Sequence, residues 1–158
     1  MLREGMFTPA LLSDVTPSLL CSFMTLEHVR DPGEFLANAF ELLEPGGMVA
    51  VVVHNWRAPL NRLLGLRSPI IDVEHLQLFS PRSVRALLER TGFASVSQRD
   101  ITNSYPLRYW LRLAPMPAGA KRWIIRLLER AGGLADASVP LRVGNRLAVG
   151  ITPVEIKT

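Results

Sequence analysis

Three histidines and two glutamates have the types and the spacing to do chemistry in this chain. Glu27 and His28 are adjacent. The same pair recurs at Glu74 and His75, and the third histidine, His54, ends an apolar run. Histidine exchanges protons near neutral pH, and a nearby carboxylate can orient it. These residue types allow either proton abstraction from a substrate hydroxyl or acid, or ligation of a divalent metal.

The same residues also have a purely structural interpretation. Glu27 and His28 could cap the following helix and brace its loop, while the pair at 74–75 could anchor that loop. The catalytic candidates are His28 and His54. The candidates on the substrate side are Glu27, Glu74 and His75. No spacing among them matches a recognised metal motif, so no metal is predicted.

The elements that must position these residues follow from the apolar pattern. Ser18 to Phe23 is predicted to be a buried strand that leads towards Glu27. Asp31 then caps a helix, which stops at Pro45-Gly46-Gly47 because glycine accepts left-handed backbone. The next run, Met48 to Val53, is nearly all β-branched or apolar, as a parallel strand covered on both faces requires. In such a β-α-β unit the polar residues collect at the carboxyl edge, where open α/β sheets bind ligands.

The second half of the chain continues the alternation of helices and strands. A helix is predicted from Ser80 to Thr91, and a third strand from Phe93 to Asp100. Helical segments at 105–113 and 121–131 come next, and a closing strand runs from Arg142 to Thr152. The fold class is therefore α/β with a mostly parallel sheet.

Length and composition limit the class of protein. The 158 residues, 48% of them hydrophobic and 20% charged, suit one globular domain. No apolar run approaches the roughly 20 residues that span a bilayer, and the N-terminus lacks the features of a signal peptide. The single cysteine, Cys21, excludes an internal disulfide and fits the reducing cytoplasm, where we place the protein. The net charge of +4 does not by itself indicate nucleic-acid binding, and none is predicted.

Three sequence blocks carry a resemblance to a known family. They are Leu26–Pro32 (Leu-Glu-His-Val-Arg-Asp-Pro), Leu42–Gly47 (Leu-Leu-Glu-Pro-Gly-Gly) and Glu74–Pro81, which continues to Thr91-Gly92-Phe93. In this order and spacing they resemble the C-terminal half of a class I S-adenosylmethionine-dependent methyltransferase. The resemblance implies a partial Rossmann-like methyltransferase sheet made of the family's fourth to seventh strands. The closing strand at 142–152 would be antiparallel and inserted between the fifth and sixth strands.

The cofactor cradle of that family is missing from this sequence. Family members place a Gly-x-Gly-x-Gly loop after the first strand and an acidic residue at the end of the second. Here only Gly5 precedes the predicted fourth strand. Residues 1–17 are therefore interpreted as a residual N-terminal connection, and residues 18–158 as the C-terminal half of a domain truncated at its N-terminus. The fourth strand is expected to be an apolar sheet edge that invites association.

The resemblance implies a function as well as a fold. We expect S-adenosylmethionine-dependent methylation of a small molecule, with Phe23 and Met24 lining the cofactor. Because the cofactor site is incomplete, the isolated chain is expected to be inactive. The alternative is a non-catalytic methyltransferase-like remnant or a partner subunit.

A segment rich in arginine and tryptophan lies between the predicted sixth and seventh strands. On a helix, Arg122, Arg126 and Arg130 share one face, and Trp123 and Leu127 share the other. We interpret residues 104–133 as a helical cap over the acceptor pocket, which suits an amphiphilic acceptor. The same pattern also allows peripheral contact with an anionic membrane.

Overall fold

Residues 2–154 are described by the computed structural model, and they form a mixed α/β structure. The strands are β1 (Leu19–Phe23), β2 (Met48–His54), β3 (Ala94–Asp100), β4 (Asn103–Pro106), β5 (Ser138–Leu141) and β6 (Asn145–Ile151). The α-helices are α1 (Pro32–Leu42), α2 (Pro59–Leu64), α3 (Pro81–Thr91), α4 (Leu107–Leu113) and α5 (Ala118–Arg130). Short 3₁₀ helices occur at Pro9–Leu12, Gly65–Arg67 and Leu134–Asp136. The predicted alternation of strands and helices is confirmed as far as β3.

The main sheet contains β1, β2, β6 and β3, side by side in that order. β1 runs parallel to β2, with Leu19 opposite Met48 and Phe23 opposite Val52. β6 is antiparallel to both of its neighbours, β2 and β3. The antiparallel strand predicted between the family's fifth and sixth strands is thus confirmed, and the other three strands run in one direction.

Local sequence signals explain where the two longer helices next to the sheet begin. Asp31 caps α1: its Oδ1 accepts hydrogen bonds from the backbone N–H groups of Gly33 and Glu34, at 2.9 and 3.0 Å. Ser80 and Ser83 cap α3 reciprocally, each side chain accepting from the backbone N–H of the other. Both helices carry proline in the first turn, where its missing N–H costs nothing.

The apolar core lies around β2. Val49, Val51 and Val53 of this strand are fully buried. They belong to one cluster with Leu36 of α1 and Leu88 of α3, so these two helices cover the sheet. Burial of this kind is the main favourable term in folding. The core therefore fixes the position of the carboxyl end of β2, where His54 lies.

β1 forms an edge of the main sheet. Within residues 2–154 only β2 pairs with it. Leu19 is 51% exposed and Phe23 63% exposed, and Cys21 between them is exposed as well. Ser22 is the one residue of this strand that is buried. The prediction of a buried strand from Ser18 to Phe23 is therefore wrong, because the strand has a neighbour on one side only and its outer face is open, whereas the predicted apolar edge is present.

Between β3 and β6 the chain leaves the main sheet, and we call residues 102–144 the lid. β4 and β5 form a separate two-stranded antiparallel sheet within it. The helix predicted from Tyr105 begins at Leu107 instead, because Tyr105 and Pro106 belong to β4. Neither α4 nor α5 has a fully buried residue. In the part of the chain that the structure describes, no helix combines the length and the apolar character needed to cross a membrane.

Candidate functional site

A carboxylate–imidazole pair joins the carboxyl ends of β1 and β2. Glu27 lies in the loop after β1, and its side chain is 1% exposed. Its Oε1 accepts a hydrogen bond from the backbone N–H of His54 at 2.6 Å and lies 3.1 Å from Nδ1 of the same residue. His54 is the last residue of β2. The pair exists because parallel strands bring their carboxyl ends to one edge of the sheet.

The hydrogen bonds of this pair set the ionisation of Glu27 and the donor atom of His54. Burial raises the pKa of Glu27, but the hydrogen bonds from the side chain and backbone of His54 lower it more, so the net pKa lies below its ordinary value. Glu27 is therefore ionised at neutral pH and can only accept. His54 must then donate through Nδ1, which leaves Nε2 as the basic atom of the neutral ring. The second oxygen of Glu27, Oε2, is buried without a partner.

His28 is held in the same way by a different acceptor. Its Nδ1 lies 2.8 Å from the backbone carbonyl oxygen of Glu74. A carbonyl oxygen can only accept, so Nδ1 carries the proton and Nε2 is again the basic atom. This contact joins the loop after β1 to the segment before α3.

His75 completes a cluster of three imidazoles. Its Nδ1 lies 2.8 Å from Oδ1 of Asp72, an oxygen that also accepts from the backbone N–H groups of Glu74 and His75. Burial raises the pKa of Asp72, and these hydrogen bonds lower it to a net value below the ordinary one. The ring of His75 lies 4.7 Å from that of His28 and 5.4 Å from that of His54, measured between centroids.

The cluster can exchange protons, since each imidazole has its Nδ1 engaged and its Nε2 left as the basic atom. Its members are His28, His54 and His75. Among residues 2–154, no group of three or more histidine, cysteine, aspartate or glutamate side chains has the arrangement needed to hold a metal ion. Because Nδ1 is engaged and Nε2 is the basic atom in each ring, this geometry supports proton transfer.

A cavity of about 410 Å³ opens beside His54. Met24 and His54 line it from the main sheet, and Tyr105, Tyr109 and Trp110 line it from the lid. Met24 has a φ angle of +51°, a left-handed conformation that is uncommon for residues other than glycine. Uncommon backbone conformations of this kind concentrate at functional sites.

Besides Glu27, the predicted site residues occupy four kinds of position. Met24 and His54 line the cavity, whereas His28 and His75 lie in the imidazole cluster and are not among the lining residues. Glu74 takes part through its backbone carbonyl, and its side chain is exposed. Phe23 lies at the carboxyl end of the exposed strand β1.

Two residues of the site were not among the sequence candidates. Asp72 orients His75, and the only sequence signal is the three-residue spacing between them. Asn145 is the first residue of β6, lies directly opposite His54 in the antiparallel register and lines the cavity. The sequence signal for Asn145 is the glycine before it. In the structure this residue, Gly144, has a φ angle of +102°. A Cβ at Gly144 would lie 2.7 Å from the Cβ of Ala58, so a side chain there would displace the start of β6.

Solved structures of other proteins share this fold. An S-adenosylmethionine-dependent methyltransferase from Archaeoglobus fulgidus is 16% identical, with a TM-score of 0.52, over 90% of this chain and 64% of that one. An O-methyltransferase family protein from Burkholderia thailandensis is 14% identical, with a TM-score of 0.56, over 98% of this chain and 36% of that one. The YcgJ protein of Bacillus subtilis is 18% identical, with a TM-score of 0.52, over 86% of this chain and 64% of that one. The chain thus spans between 36% and 64% of the length of these structures.

The sequence itself identifies the family. No curated protein matches the chain. A family profile described as a methyltransferase domain matches residues 7–98, which is more than half of the chain. The matched stretch includes the whole imidazole cluster, while the lid and β6 lie beyond it. Together with the shared fold, this match confirms the resemblance seen in the three sequence blocks, and the chain belongs to the methyltransferase domain family.

Proposed function

We propose that this chain forms the acceptor-binding side of an enzyme that transfers a methyl group from S-adenosylmethionine to a small molecule. One observation carries the proposal: His54, paired with the buried Glu27, lines an apolar cavity at the carboxyl edge of the sheet. Open α/β folds bind their ligands at that edge. The fold and the family supply the reaction type, and the pair supplies a base beside a place for the acceptor.

His54 acts as the general base in this proposal. Nε2 of His54 takes the proton from a hydroxyl or amine of the acceptor as the oxygen or nitrogen attacks the methyl group. The ionised Glu27 holds Nδ1–H and stabilises the imidazolium that forms, as the carboxylate does in other carboxylate–histidine pairs. The apolar lining surrounds His54 with groups of low polarity, where electrostatic interactions are stronger than in water.

The residues present fit one side of a cofactor site. S-adenosylmethionine supplies an electrophilic methyl group on a sulfonium. Phe23 and Met24, at the carboxyl end of β1, offer apolar surface to its methionine part. No Gly-x-Gly-x-Gly loop occurs in the sequence to let backbone approach the cofactor closely. The chain accounts for part of the site only.

We further propose that the rest of the cofactor site comes from a polypeptide that pairs with β1. That strand presents exposed apolar side chains, and within the described residues its outer edge has no partner. An uncovered edge of this kind is an interaction site. This polypeptide could be encoded by the DNA upstream of the Met1 codon. We expect that DNA to encode, in frame, a strand, a Gly-x-Gly-x-Gly loop and an acidic residue about 20 positions later.

Calorimetric titration with S-adenosylmethionine tests the proposal. We expect micromolar-range binding when the chain is joined to a half that carries the glycine-rich loop, and none to the chain alone. Tight binding by the chain alone would contradict the incomplete site. An absence of binding by the joined protein would contradict the methyltransferase proposal and favour a non-catalytic partner subunit, the alternative that the missing loop supports.

Substitution of histidines in the joined enzyme tests the base. His54→Ala is expected to lower turnover by about 10²–10⁴-fold, the range of a general base, with little change in melting temperature. His28→Ala is the matched variant, because its Nδ1 is anchored in the same way but its ring does not line the cavity. A comparable loss in His28→Ala would make it a second catalytic residue, as the sequence predicts. If both variants keep full turnover, or lose it only in step with melting temperature, the histidines brace the loops and the assignment is wrong.

A second partner is proposed for α5. Its Trp123 and Leu127 are exposed, and Arg122, Arg126 and Arg130 are exposed on the same helix. Exposed apolar and cationic residues on one helix favour contact with an anionic membrane surface. Co-sedimentation with anionic vesicles, and its loss in Trp123→Ser, would support this contact. Equal co-sedimentation with neutral vesicles would contradict its electrostatic part.

A further inference from the structure

The cavity beside His54 is suited to an uncharged ligand. No lysine, arginine, aspartate or glutamate is among its lining residues, which are mainly leucine, isoleucine, proline and aromatic side chains. A charged group would lose its hydration there without meeting a counter-charge, and that transfer is costly. The volume of about 410 Å³ lies in the range of small-molecule sites. A neutral molecule of two or three fused rings fits that space.

The lid presents aromatic surface to the cavity. The ring centroids of Tyr105, Tyr109 and Trp110 lie 4.6 to 5.7 Å from one another. Nε1 of Trp110 donates to the backbone carbonyl of Val139 at 2.9 Å, which holds the indole in place. Aromatic pairs are favourable at centroid separations of about 4.5–7 Å. A planar ring of the ligand can therefore join this group.

Asn145 brings a buried polar side chain without a full set of hydrogen-bond partners to the cavity. It is 4% exposed, and its Oδ1 is buried with no hydrogen-bond partner within residues 2–154. A buried acceptor without a donor is costly, and such atoms call for an explanation. Next to it, Gly144 has no space for a side chain, because a Cβ there would lie 2.7 Å from Cβ of Ala58 and 2.8 Å from Nδ2 of Asn61. An unsatisfied acceptor is thus buried on a side chain that lines the cavity.

Asn145 and His54 line the cavity side by side. They lie directly opposite each other in the register of β2 and β6, and both line the cavity. Side chains at such positions have their Cβ atoms about 4.5–5.5 Å apart on one face of the sheet. Oδ1 of Asn145 and Nε2 of His54 both accept hydrogen bonds. Two neighbouring acceptors match two neighbouring donors.

We propose that the cavity binds an uncharged aromatic molecule that carries two adjacent hydrogen-bond donors, such as neighbouring hydroxyls. One donor is bound by Asn145 and the other by His54, and the ring lies against Tyr105, Tyr109 and Trp110. This inference rests on the proposed function and names the substrate class for that same site. Asn145 is then a binding residue that sets specificity, and His54 faces the hydroxyl that reacts.

Calorimetric titration of the chain with a series of matched probes tests this inference without any cofactor. The probes are naphthalene, 2-naphthol, 2,3-dihydroxynaphthalene and 2-naphthoate, which offer none, one or two donors, or a charge. Each added donor is expected to tighten binding by roughly fivefold. The naphthoate anion is expected to bind at least about tenfold more weakly than 2-naphthol, since it meets no counter-charge. Naphthoate binding as tightly as 2-naphthol, or equal affinity for all neutral probes, would overturn the proposal.

Two asparagine variants separate a specific contact from a general change in the cavity. Asn145→Leu is expected to remove the gain from the second hydroxyl and to leave the affinity for naphthalene unchanged. Asn103→Leu is the matched control and should keep that gain. Asn103 also lines the cavity, but it pairs with Leu141 in the lid and does not lie opposite His54. If the leucine variant does not fold, Asn145→Ser, a smaller polar change, takes its place. It should also weaken binding of the dihydroxy probe more than binding of the other neutral probes. Equal weakening of all neutral probes by the Asn145 variants would overturn the role of Asn145.

The experiments distinguish a failure of the proposed ligand class from a failure of the proposed function. If the probe series behaves as expected but the joined enzyme transfers no methyl group, the binding site stands and the proposed function fails. If methyl transfer occurs but no probe binds, the proposed function stands and the substrate class is wrong.

Discussion

β1 and β2 have the same kind of sequence but opposite surroundings. Both are short apolar strands, and they pair in parallel with Leu19 opposite Met48. β2 has a neighbour on each side, and its Val49, Val51 and Val53 are fully buried. In β1 the exposed residues Leu19, Cys21 and Phe23 alternate along the strand, so they share one face.

The difference has two sources: Val49, Val51 and Val53 lie on the face that the helices cover, whereas the exposed residues of β1 lie on the opposite face with Met48, and within the described residues β1 alone of the two strands has an unpaired edge. β2 anchors the core and fixes His54. β1 uses one side for pairing, and within the described residues it leaves the other side and one face without cover. We therefore read β2 as the structural strand and β1 as an interaction surface, and the following predictions test that contrast.

The largest expected effect separates the two strands directly. Val51→Asp should abolish folding, at a cost above about 4 kcal/mol, because it buries a charge with no partner. Leu19→Asp, the same type of change on the exposed face of β1, should cost less than about 1 kcal/mol. Urea denaturation followed by circular dichroism measures both. Equal costs would show that Leu19 is as buried as Val51 in solution.

The next effect concerns the contact that ties the ends of the two strands together. Glu27→Ala should cost about 2–3 kcal/mol, because it leaves a buried N–H of His54 without an acceptor. In the wild type the folded pKa of Glu27 lies below its ordinary value of 4.5, so its stabilisation is complete above pH 4.5 and is lost as the pH falls through the folded pKa.

Glu27→Gln is the control for the pH dependence. Gln can still accept the two hydrogen bonds but does not titrate, so this part of the acid destabilisation should disappear. Urea midpoints measured between pH 3 and 7 would show it. An acid profile identical to the wild type would mean that Glu27 does not contribute to the pH dependence of folding.

A moderate effect is expected on association through β1. The isolated chain should self-associate at high concentration, and Leu19→Lys should weaken that association by about tenfold, because a charge on an edge strand opposes pairing. Val73→Lys is the matched control, since Val73 is exposed but lies far along the chain from the edge. Sedimentation equilibrium in the presence of a reductant, which excludes disulfides of the exposed Cys21, measures the change. An equal effect of both lysines would rule out β1 as the interface.

The smallest effect tests the one buried residue of β1. The hydroxyl of Ser22 is buried without a hydrogen-bond partner, so Ser22→Ala should raise the free energy of unfolding by up to about 1 kcal/mol. Ser80→Ala should lower it by about 1 kcal/mol, because Ser80 caps α3. Chemical denaturation of both variants measures the contrast. A loss of stability in Ser22→Ala would mean that this hydroxyl has a partner in solution.

Elements with strong local signals could be predicted from the sequence. β2 is a continuous β-branched run, and Asp31 and Ser80 are typical helix caps, so the strand and both helices were located within one or two residues. β4 was missed, because its residues fit the apolar period of the following helix. Its strand character depends on pairing with β5, and the sequence does not show contacts between segments so far apart.

The positions of the site residues could be predicted from the sequence only where those residues follow parallel strands. Glu27, His28 and His54 follow strands whose carboxyl ends must lie at one edge, so their proximity could be expected. Asn145 arrives from the antiparallel strand, and its position opposite His54 depends on a register that the sequence does not reveal. Glu74 acts through a backbone carbonyl, which every residue type possesses.

The lid leaves and rejoins the main sheet at adjacent points. The N–H of Ile101 donates to the carbonyl of Asn145 at 2.8 Å, so the two ends of residues 102–144 are already held together by β3 and β6. Replacing this segment by a longer or shorter one adds little loop-closure entropy, which grows only slowly with loop length. The lid is therefore an exchangeable module: it could be replaced to change what lines the cavity while the imidazole cluster, which lies outside it, stays intact.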